Sequence, residues 1–209
     1  LQNYEITGLN PGVTYRFSLK PENRSGSGEE TYVDASTLPE AIGESSIKIT
    51  EISETSAALQ WEAVPGATTY RVHVAEKVYE ISDTTLKLNG LQGGKRYDGI
   101  LEAGNGSGYG SGTRISFLTL PPQVGEITAE EEGNELQLMW EPVPSATKYM
   151  IEQDGQEVAV VSESRWKAKD LSAGETYRFS VRAVNETGEG AKTPFIWRML
   201  PDGVDELKV

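Results

Sequence analysis

The chain has 209 residues, a formal net charge of −13 at pH 7 and no cysteine. The acidic balance argues against binding to nucleic acid, whose phosphates require a basic surface, and the lack of cysteine excludes disulfides and thiolate metal sites. No apolar run approaches the roughly 18–20 residues that a membrane-spanning helix requires.

Residues 1–39 are predicted to contain three strands, which run from Tyr4 to Leu9, from Thr14 to Asn23 and from Thr31 to Thr37. In the second strand Tyr15, Phe17 and Leu19 alternate with polar residues, the period-two pattern of a half-buried strand. Three strands with one open apolar face make only half of a sandwich. We therefore expect a further segment or a neighbouring chain to cover this face.

Two longer stretches follow, and each begins with a strand, a turn containing proline and a second strand. The pattern is Leu-x-Trp before the turn and Tyr-x-Val or Tyr-x-Ile after it, and it occurs at residues 59–72 and 138–151. Apolar and polar residues alternate here too, and helical periodicity is sustained nowhere in the chain. The sequence predicts antiparallel β-sandwiches with Trp61 and Trp140 in their cores.

Three landmarks recur with one period. Leu-x-x-Gly-x-x-Tyr ends at Tyr15, Tyr97 and Tyr177, which are 82 and 80 residues apart. An Asn-x-x-Gly-x-Gly turn begins eight residues after each tyrosine, and each copy closes on a Leu-Pro pair, at residues 38–39, 120–121 and 200–201. A shared period in three independent motifs indicates a tandem array.

The order of these landmarks closely resembles the fibronectin type III module over essentially the whole chain. The resemblance implies an all-β fold of tandem immunoglobulin-like sandwiches, in which Tyr15, Tyr97 and Tyr177 are tyrosine corners bonded to nearby backbone. Two copies are complete, and the first is a C-terminal half module. The predicted boundaries are a half module at 1–39, modules at 40–121 and 122–201, and the first strand of a following module at 202–209.

Copy two has Gly99 where its sister copies have Phe17 and Phe179. The missing ring predicts a core that is locally repacked or less stable. The linkers have almost no length, and proline restricts both its own backbone and that of the preceding residue. Stiff joints and an end-to-end rod of modules are therefore expected.

Catalysis finds little support in the sequence. His73, the single histidine, is predicted to point outward from its strand, and it has no second histidine or cysteine to form a site with. The acidic run Glu130–Glu132 is interpreted as a solvated strand edge or turn. We predict no catalytic residue, no metal site and no cofactor.

The Asn-x-x-Gly-x-Gly turns are interpreted as hairpins, in which glycine supplies unusual backbone angles. Their asparagines, Asn23, Asn105 and Asn185, also lie in glycosylation sequons, and whether they carry glycans stays open. Arg24, Tyr109 and Glu189 are the predicted loop contacts. Tyr109 either offers its ring to a ligand or, the favoured reading, folds back over its own module. Packing is likewise favoured over carbohydrate stacking for Trp166 and Trp197.

These features predict a non-catalytic spacer and interaction scaffold in a secreted or cell-surface protein, an adhesin or a fibre, with a bacterial source favoured over an animal one. Its partners would be neighbouring modules of the same protein, a protein or glycan ligand, or a second copy meeting the half module. One alternative is an accessory region of a secreted polysaccharide-active enzyme. Another is a receptor or adhesin that binds a protein through its inter-strand loops.

Overall fold

A computed structural model of the chain describes residues 3–201 and 203. Strands dominate this range, and the helical structure within it is a single short 3₁₀ turn at Glu44–Ser46. That turn has neither the length nor the apolar character of a membrane-spanning helix, and the described residues contain no other candidate. The predicted all-β fold is confirmed.

Residues 3–39 form two antiparallel pairs of strands. The strands are β1 (Thr14–Leu19), β2 (Glu22–Asn23), β3 (Gly26–Ser27) and β4 (Thr31–Ser36). β1 pairs with β4 over its whole length, and β2 and β3 form the short hairpin between them.

Residues 40–121 form two facing sheets. The strands are β5 (Lys48–Thr50), β6 (Ser56–Gln60), β7 (Thr69–Val74), β8 (Lys77–Ile81), β9 (Thr85–Asn89), β10 (Arg96–Asn105), β11 (Gly108–Tyr109) and β12 (Thr113–Leu118). One sheet has the order β5-β6-β9. The other has the order β11-β10-β7-β8, with β12 also paired to β10.

Residues 122–201 repeat this plan. The strands are β13 (Ile127–Glu132), β14 (Glu135–Trp140), β15 (Lys148–Gln153), β16 (Gln156–Val161), β17 (Arg165–Ala168), β18 (Thr176–Val184) and β19 (Thr193–Arg198). The sheets have the orders β13-β14-β17 and β16-β15-β18-β19.

In residues 40–121 and 122–201 the alternating patterns place one face of each sheet in a core. Leu136, Leu138 and Ile151 are completely buried in the last copy. Trp140 meets Tyr149 edge to face at 5.3 Å between ring centroids, and Trp61 meets Tyr70 in the same way at 5.5 Å. Aromatic pairs in this arrangement contribute to stability beyond the area that they bury.

The strand predicted from Tyr4 to Leu9 is wrong, because none of these residues is in a strand and Tyr4 is 90% exposed. In the later copies the corresponding strands, β9 and β17, pair with the tryptophan strands β6 and β14. Residues 3–39 contain no tryptophan strand. Without that partner the backbone of residues 4–9 has no ladder to join.

The contacts divide the chain into two compact units. One holds residues up to 50, 58–88 and 97–117, and the other holds 51–57, 89–96 and the residues from 118 onward. The first unit contains the pair Leu38-Pro39 and the second contains Leu120-Pro121, each with residues from both sides of the pair. The module boundaries at 39 and 121 stay predictions, and the strand predicted at 202–209 lies, except for residue 203, outside the described residues.

Candidate functional site

Two of the repeated tyrosines fasten the loop that precedes them. The hydroxyl of Tyr15 accepts a hydrogen bond from the backbone N–H of Asn10, and that of Tyr177 accepts one from Ser172, both at 2.8 Å. Tyr97 is buried and stacks on Phe117, with 5.5 Å between ring centroids. The bonds to Tyr15 and Tyr177 fix the loops that carry Gly12 and Gly174.

In the first unit, this glycine lies against backbone on two sides. The N–H of Gly12 donates to the carbonyl of Leu38 at 2.9 Å. A Cβ atom on Gly12 would overlap the carbonyl oxygen of Pro65, and one on Gly66 would overlap that of Gly12. Real Cβ atoms do not approach backbone so closely, so the contact requires glycine on both sides.

The Asn-x-x-Gly turn of the first unit contacts the segment before the Leu-Pro pair. The Nδ2 atom of Asn105 donates to the carbonyl oxygen of Thr37 at 2.8 Å, and its Oδ1 atom accepts from the N–H of Ser107 at 2.9 Å. A Cβ on Gly110 would overlap the carbonyl oxygen of Pro39. One amide therefore shapes its own turn and ties it to a carbonyl 68 residues away.

The second unit builds the same glycine contact. The N–H of Gly94 donates to the carbonyl of Leu120 at 2.8 Å. A Cβ on Gly94 would lie 2.5 Å from the carbonyl oxygen of Pro144, which precedes Ser145 in the equivalent loop. Ser145 has a positive φ of 62°, a conformation that is uncommon for residues other than glycine.

The asparagine contact is also repeated. Asn185 is 6% exposed, and its Nδ2 atom donates to the carbonyl of Thr119 at 2.8 Å while its Oδ1 accepts from the N–H of Thr187 at 2.9 Å. The hydroxyl of Thr187 adds a bond to the carbonyl of Leu118 at 2.8 Å. We call each set of glycine and asparagine contacts around a Leu-Pro pair a junction.

The junctions bear on the glycosylation sequons. An N-linked glycan is attached to the side-chain nitrogen of asparagine, and sequons that carry one lie on the surface. In Asn185 this nitrogen is buried and donated to Thr119, and in Asn105 it is donated to Thr37. A glycan on Asn185, whose amide nitrogen donates to both Thr119 and Ser145, is incompatible with its junction.

The three predicted loop contacts lie on separate turns and do not form one site. Arg24 is exposed in the β2–β3 turn. The Tyr109 ring lies under the guanidinium of Arg71 at 3.9 Å, so it folds back over its own sheet. The Glu189 carboxylate is paired with Arg182 at 2.7 Å.

Sequence reasoning missed an ion pair on the outer face of β7 and β10. The Nε atom of Arg71 lies 2.8 Å from the Glu102 carboxylate, and His73 lies 3.4 Å from the same carboxylate. The hydrogen bond from Arg71, together with the charge of Arg71, holds the pKa of Glu102 below its usual range. In the last copy the positions equivalent to His73 and Glu102 carry the pair Glu152–Arg182, with the acidic residue on the other strand.

Glu130–Glu132 lie on β13, the edge strand of its sheet, as expected, but the middle residue is not fully solvated. Glu131 is half-buried in β13, and its carboxylate accepts hydrogen bonds from the indole N–H of Trp197 at 2.8 Å and from the N–H of Leu200 at 2.9 Å. Trp197 and Trp166 are both half-buried against the core of this copy. In the part of the chain that the structure describes, no three carboxylate or imidazole groups are placed to hold a metal ion.

Comparisons with known proteins agree with this geometry. Residues 120–196 match the family model for the fibronectin type III domain, so the stretch containing β13 to β19 is similar to a sandwich of that type. Contactin-5 of Danio rerio is 31% identical over 140 residues, which are 59% of this chain and 13% of that protein. The mouse receptor-type tyrosine-protein phosphatase F is 28% identical over 228 residues, covering 96% of this chain and 12% of that protein.

The chain spans only 11–18% of the length of these and similar curated relatives. A solved two-domain fibronectin type III segment of chicken tenascin is 20% identical and covers 77% of this chain and 99% of that one, with a TM-score of 0.47. The relatives named above come from animals, and the bacterial source stays a prediction that they do not support.

Proposed function

We propose that the chain is a non-catalytic extracellular spacer and interaction scaffold, built from fibronectin type III-like modules with stiff joints. The observation that carries the proposal is the junction, which is built twice from the same residue types. A stiff joint needs contacts that resist bending, and hydrogen bonds to backbone combined with backbone packed on glycine provide them.

The similar proteins support the extracellular part of the proposal. Their names include contactin-5 and several receptor-type phosphatases, and the similarity covers a stretch of fibronectin type III character. Because this chain matches only a small part of each relative, no phosphatase activity is carried over. Modules with stiff joints would hold the neighbouring parts of a cell-surface protein at a fixed spacing.

Small-angle X-ray scattering of the full chain tests the stiffness of the joints. We expect scattering that one extended conformation describes, and a broader range of dimensions for Asn185→Ala, which removes the amide that Thr119 and Thr187 share. Asn134→Ala is the matched control, because Asn134 is an exposed turn residue of the same copy. If the scattering of the unaltered protein fitted modules that move freely about flexible joints, the proposal would be contradicted.

A second candidate function is a receptor or adhesin that binds a protein partner through its loops, and the names of the receptor-type relatives favour it. Arg24 is the most accessible of the predicted contacts, since Tyr109 and Glu189 are each held by an arginine. A receptor of this kind would lose partner binding in Arg24→Ala while its thermal stability stayed unchanged. Carbohydrate stacking would require exposed rings, whereas Trp166 and Trp197 are half-buried.

A further inference from the structure

The three asparagine turns share one geometry but differ in the residue that follows the asparagine. The Oδ1 atom of each asparagine accepts a hydrogen bond from the N–H two residues later, at 2.8 or 2.9 Å. The residue in between is Arg24 in the first turn and Glu186 in the third, but it is Gly106 in the second. Of these three turns, the second is therefore the one in which no side chain shields the peptide nitrogen after the asparagine.

The hydrogen bond of the second turn holds two atoms that can react with each other. The bond from the Ser107 N–H to the Oδ1 atom of Asn105 closes a small ring, and this ring contains both the Cγ atom of Asn105 and the backbone nitrogen of Gly106. The side chain is thus folded back over its own peptide bond in an Asx turn. The Ser107 N–H also points at the oxygen on which negative charge develops when a nucleophile adds to Cγ, and a donor at that place stabilises the charge.

The backbone nitrogen of Gly106 is open to reaction. Within the described part of the chain it donates no hydrogen bond to another residue, and Gly106 is exposed. A Cβ atom built on Gly106 would meet no atom within 4 Å. Neither a side chain nor a neighbouring segment obstructs the approach of this nitrogen to Cγ.

We propose that Asn105 is a site of spontaneous deamidation in the folded chain. The backbone nitrogen of Gly106 forms a bond to Cγ and loses its proton, and the Cγ–Nδ2 bond breaks to release ammonia. Water then opens the cyclic imide at either of its carbonyl groups, which leaves aspartate or isoaspartate at position 105. Water is the only co-reactant, and no group is oxidised or reduced.

The product cannot keep the first junction intact. The Nδ2 atom of Asn105 donates to the carbonyl oxygen of Thr37 at 2.8 Å, whereas an ionised carboxylate has no proton to donate. Deamidation therefore loosens the first joint with time. The second joint is spared, because Asn185 is buried and precedes Glu186. This consequence rests on the proposed function, in which the junctions keep the joints stiff, but the reaction itself does not.

Mass spectrometry of tryptic peptides tests the reaction in folded, unglycosylated protein that is kept at mildly alkaline pH. The peptide of residues 97–114 should gain the mass of one deamidation, while the peptide of residues 183–192, which contains Asn185, should stay unchanged. Gly106→Ala should slow the gain about tenfold, which corresponds to about 1.4 kcal/mol on the barrier, because the methyl group hinders attack. This variant should fold normally, since its Cβ atom meets no neighbour and the φ of Gly106 is not positive.

A second Asn-Gly pair, Asn89-Gly90, provides the control for the effect on the junction. Asn89 is exposed, belongs to no junction and lies on the separate tryptic peptide of residues 88–95. The N–H of Gly12 donates to the carbonyl of Leu38 in the first junction, so its hydrogen exchange reports on that contact. Asn105→Asp should accelerate this exchange several-fold, and Asn89→Asp should leave it unchanged.

The proposal fails if the Asn105 amide stays intact in the folded protein and converts only in urea, or if Gly106→Ala reacts as fast as the parent chain. If Asn105 converts but Asn105→Asp leaves the Gly12 amide fully protected, the loosening of the joint is wrong. Scattering of freshly prepared protein measures the joints before any conversion. Failure of the deamidation site can therefore be told apart from failure of the spacer function.

Discussion

The sandwiches of residues 40–121 and 122–201 share one plan but fill one core position differently. In the later copy this position is Phe179, which is 2% exposed and lies 6.1 Å from the Trp166 ring and 6.3 Å from the Tyr177 ring between centroids. In the earlier copy it is Gly99. The same fold is thus built with and without a central ring.

The glycine does not leave an empty hole. A Cβ atom on Gly99 would overlap the carbonyl oxygen of His73 and lie about 3 Å from side-chain atoms of Ile115 and Val74. The local repacking expected from the sequence takes this form, with neighbouring backbone and side chains occupying the space. Whether this core position holds an aromatic ring therefore depends on the space that its neighbours leave, as well as on the alternation of the strand.

The largest expected effect on stability comes from removing the Phe179 ring, which has no counterpart in the earlier copy. Phe179→Ala should cost about 3–5 kcal/mol of the free energy of unfolding, because the surrounding strands of this copy are spaced for the ring and leave a cavity. Urea unfolding measures the loss, with Ile196→Ala as an exposed control expected within about 0.5 kcal/mol. A loss below about 1 kcal/mol would mean that the later copy can close its strands as the earlier one does.

The reverse substitution asks whether the earlier copy can accept a ring. Gly99→Phe should cost about 1–3 kcal/mol or more, since overpacking forces backbone shifts around His73. Hydrogen exchange of the β7 and β10 amides would reveal where the strain is relieved. A variant as stable as the parent chain would show that the space near Gly99 is adaptable.

A smaller effect concerns a feature that both copies share. The hydroxyl of Tyr70 accepts from the N–H of Val64 at 3.0 Å, and that of Tyr149 accepts from Val143 at 2.9 Å. Replacing either tyrosine with phenylalanine should cost about 1–2 kcal/mol, because a backbone donor is left without its partner. Thermal unfolding of the two variants should give similar losses, and a clear difference would show that the two turns are not equivalent.

The smallest expected effect is a change in how the stability of the protein depends on pH. Hydrogen bonds from Lys192 and Ser180 hold the pKa of Glu152 below its usual range. A lowered folded-state pKa contributes stability that is present above the unfolded value of about 4.3 and is lost as pH falls through the folded value. Melting temperatures from pH 7 to 3 should therefore fall less steeply for Glu152→Gln than for Glu126→Gln, an exposed control before β13.

The repeating parts of the fold could be predicted because they are local and periodic. The spacing of Tyr15, Tyr97 and Tyr177 predicts three similar loops, and alternation around Trp61 and Trp140 predicts the half-buried strands. The strand at Tyr4–Leu9 was predicted wrongly because strand formation depends on a partner, and its own residues carry no information about whether that partner is present.

Contacts between distant residues escaped prediction for a related reason. The Arg71–Glu102 pair depends on the register of β7 and β10, because these two residues are direct cross-strand partners only once the sheet is formed. The bond between Glu131 and Trp197 joins residues 66 apart. The sequence explains Asn105 and Asn185 only through the geometry of their own turns. Their hydrogen bonds to the carbonyls of Thr37 and Thr119 depend on the folded chain, which places those carbonyls against the turns.

The loop residues that meet the motif glycines also differ between copies, with Gly66 in one and Ser145 in the other. A side chain at position 66 would collide with the backbone of Gly12, whereas the second junction accommodates serine. We therefore expect that an array in which the serine loop followed Gly12 would need a backbone shift at this contact. The Cβ atom of one loop residue would then limit which of the otherwise similar units can follow another without rearrangement.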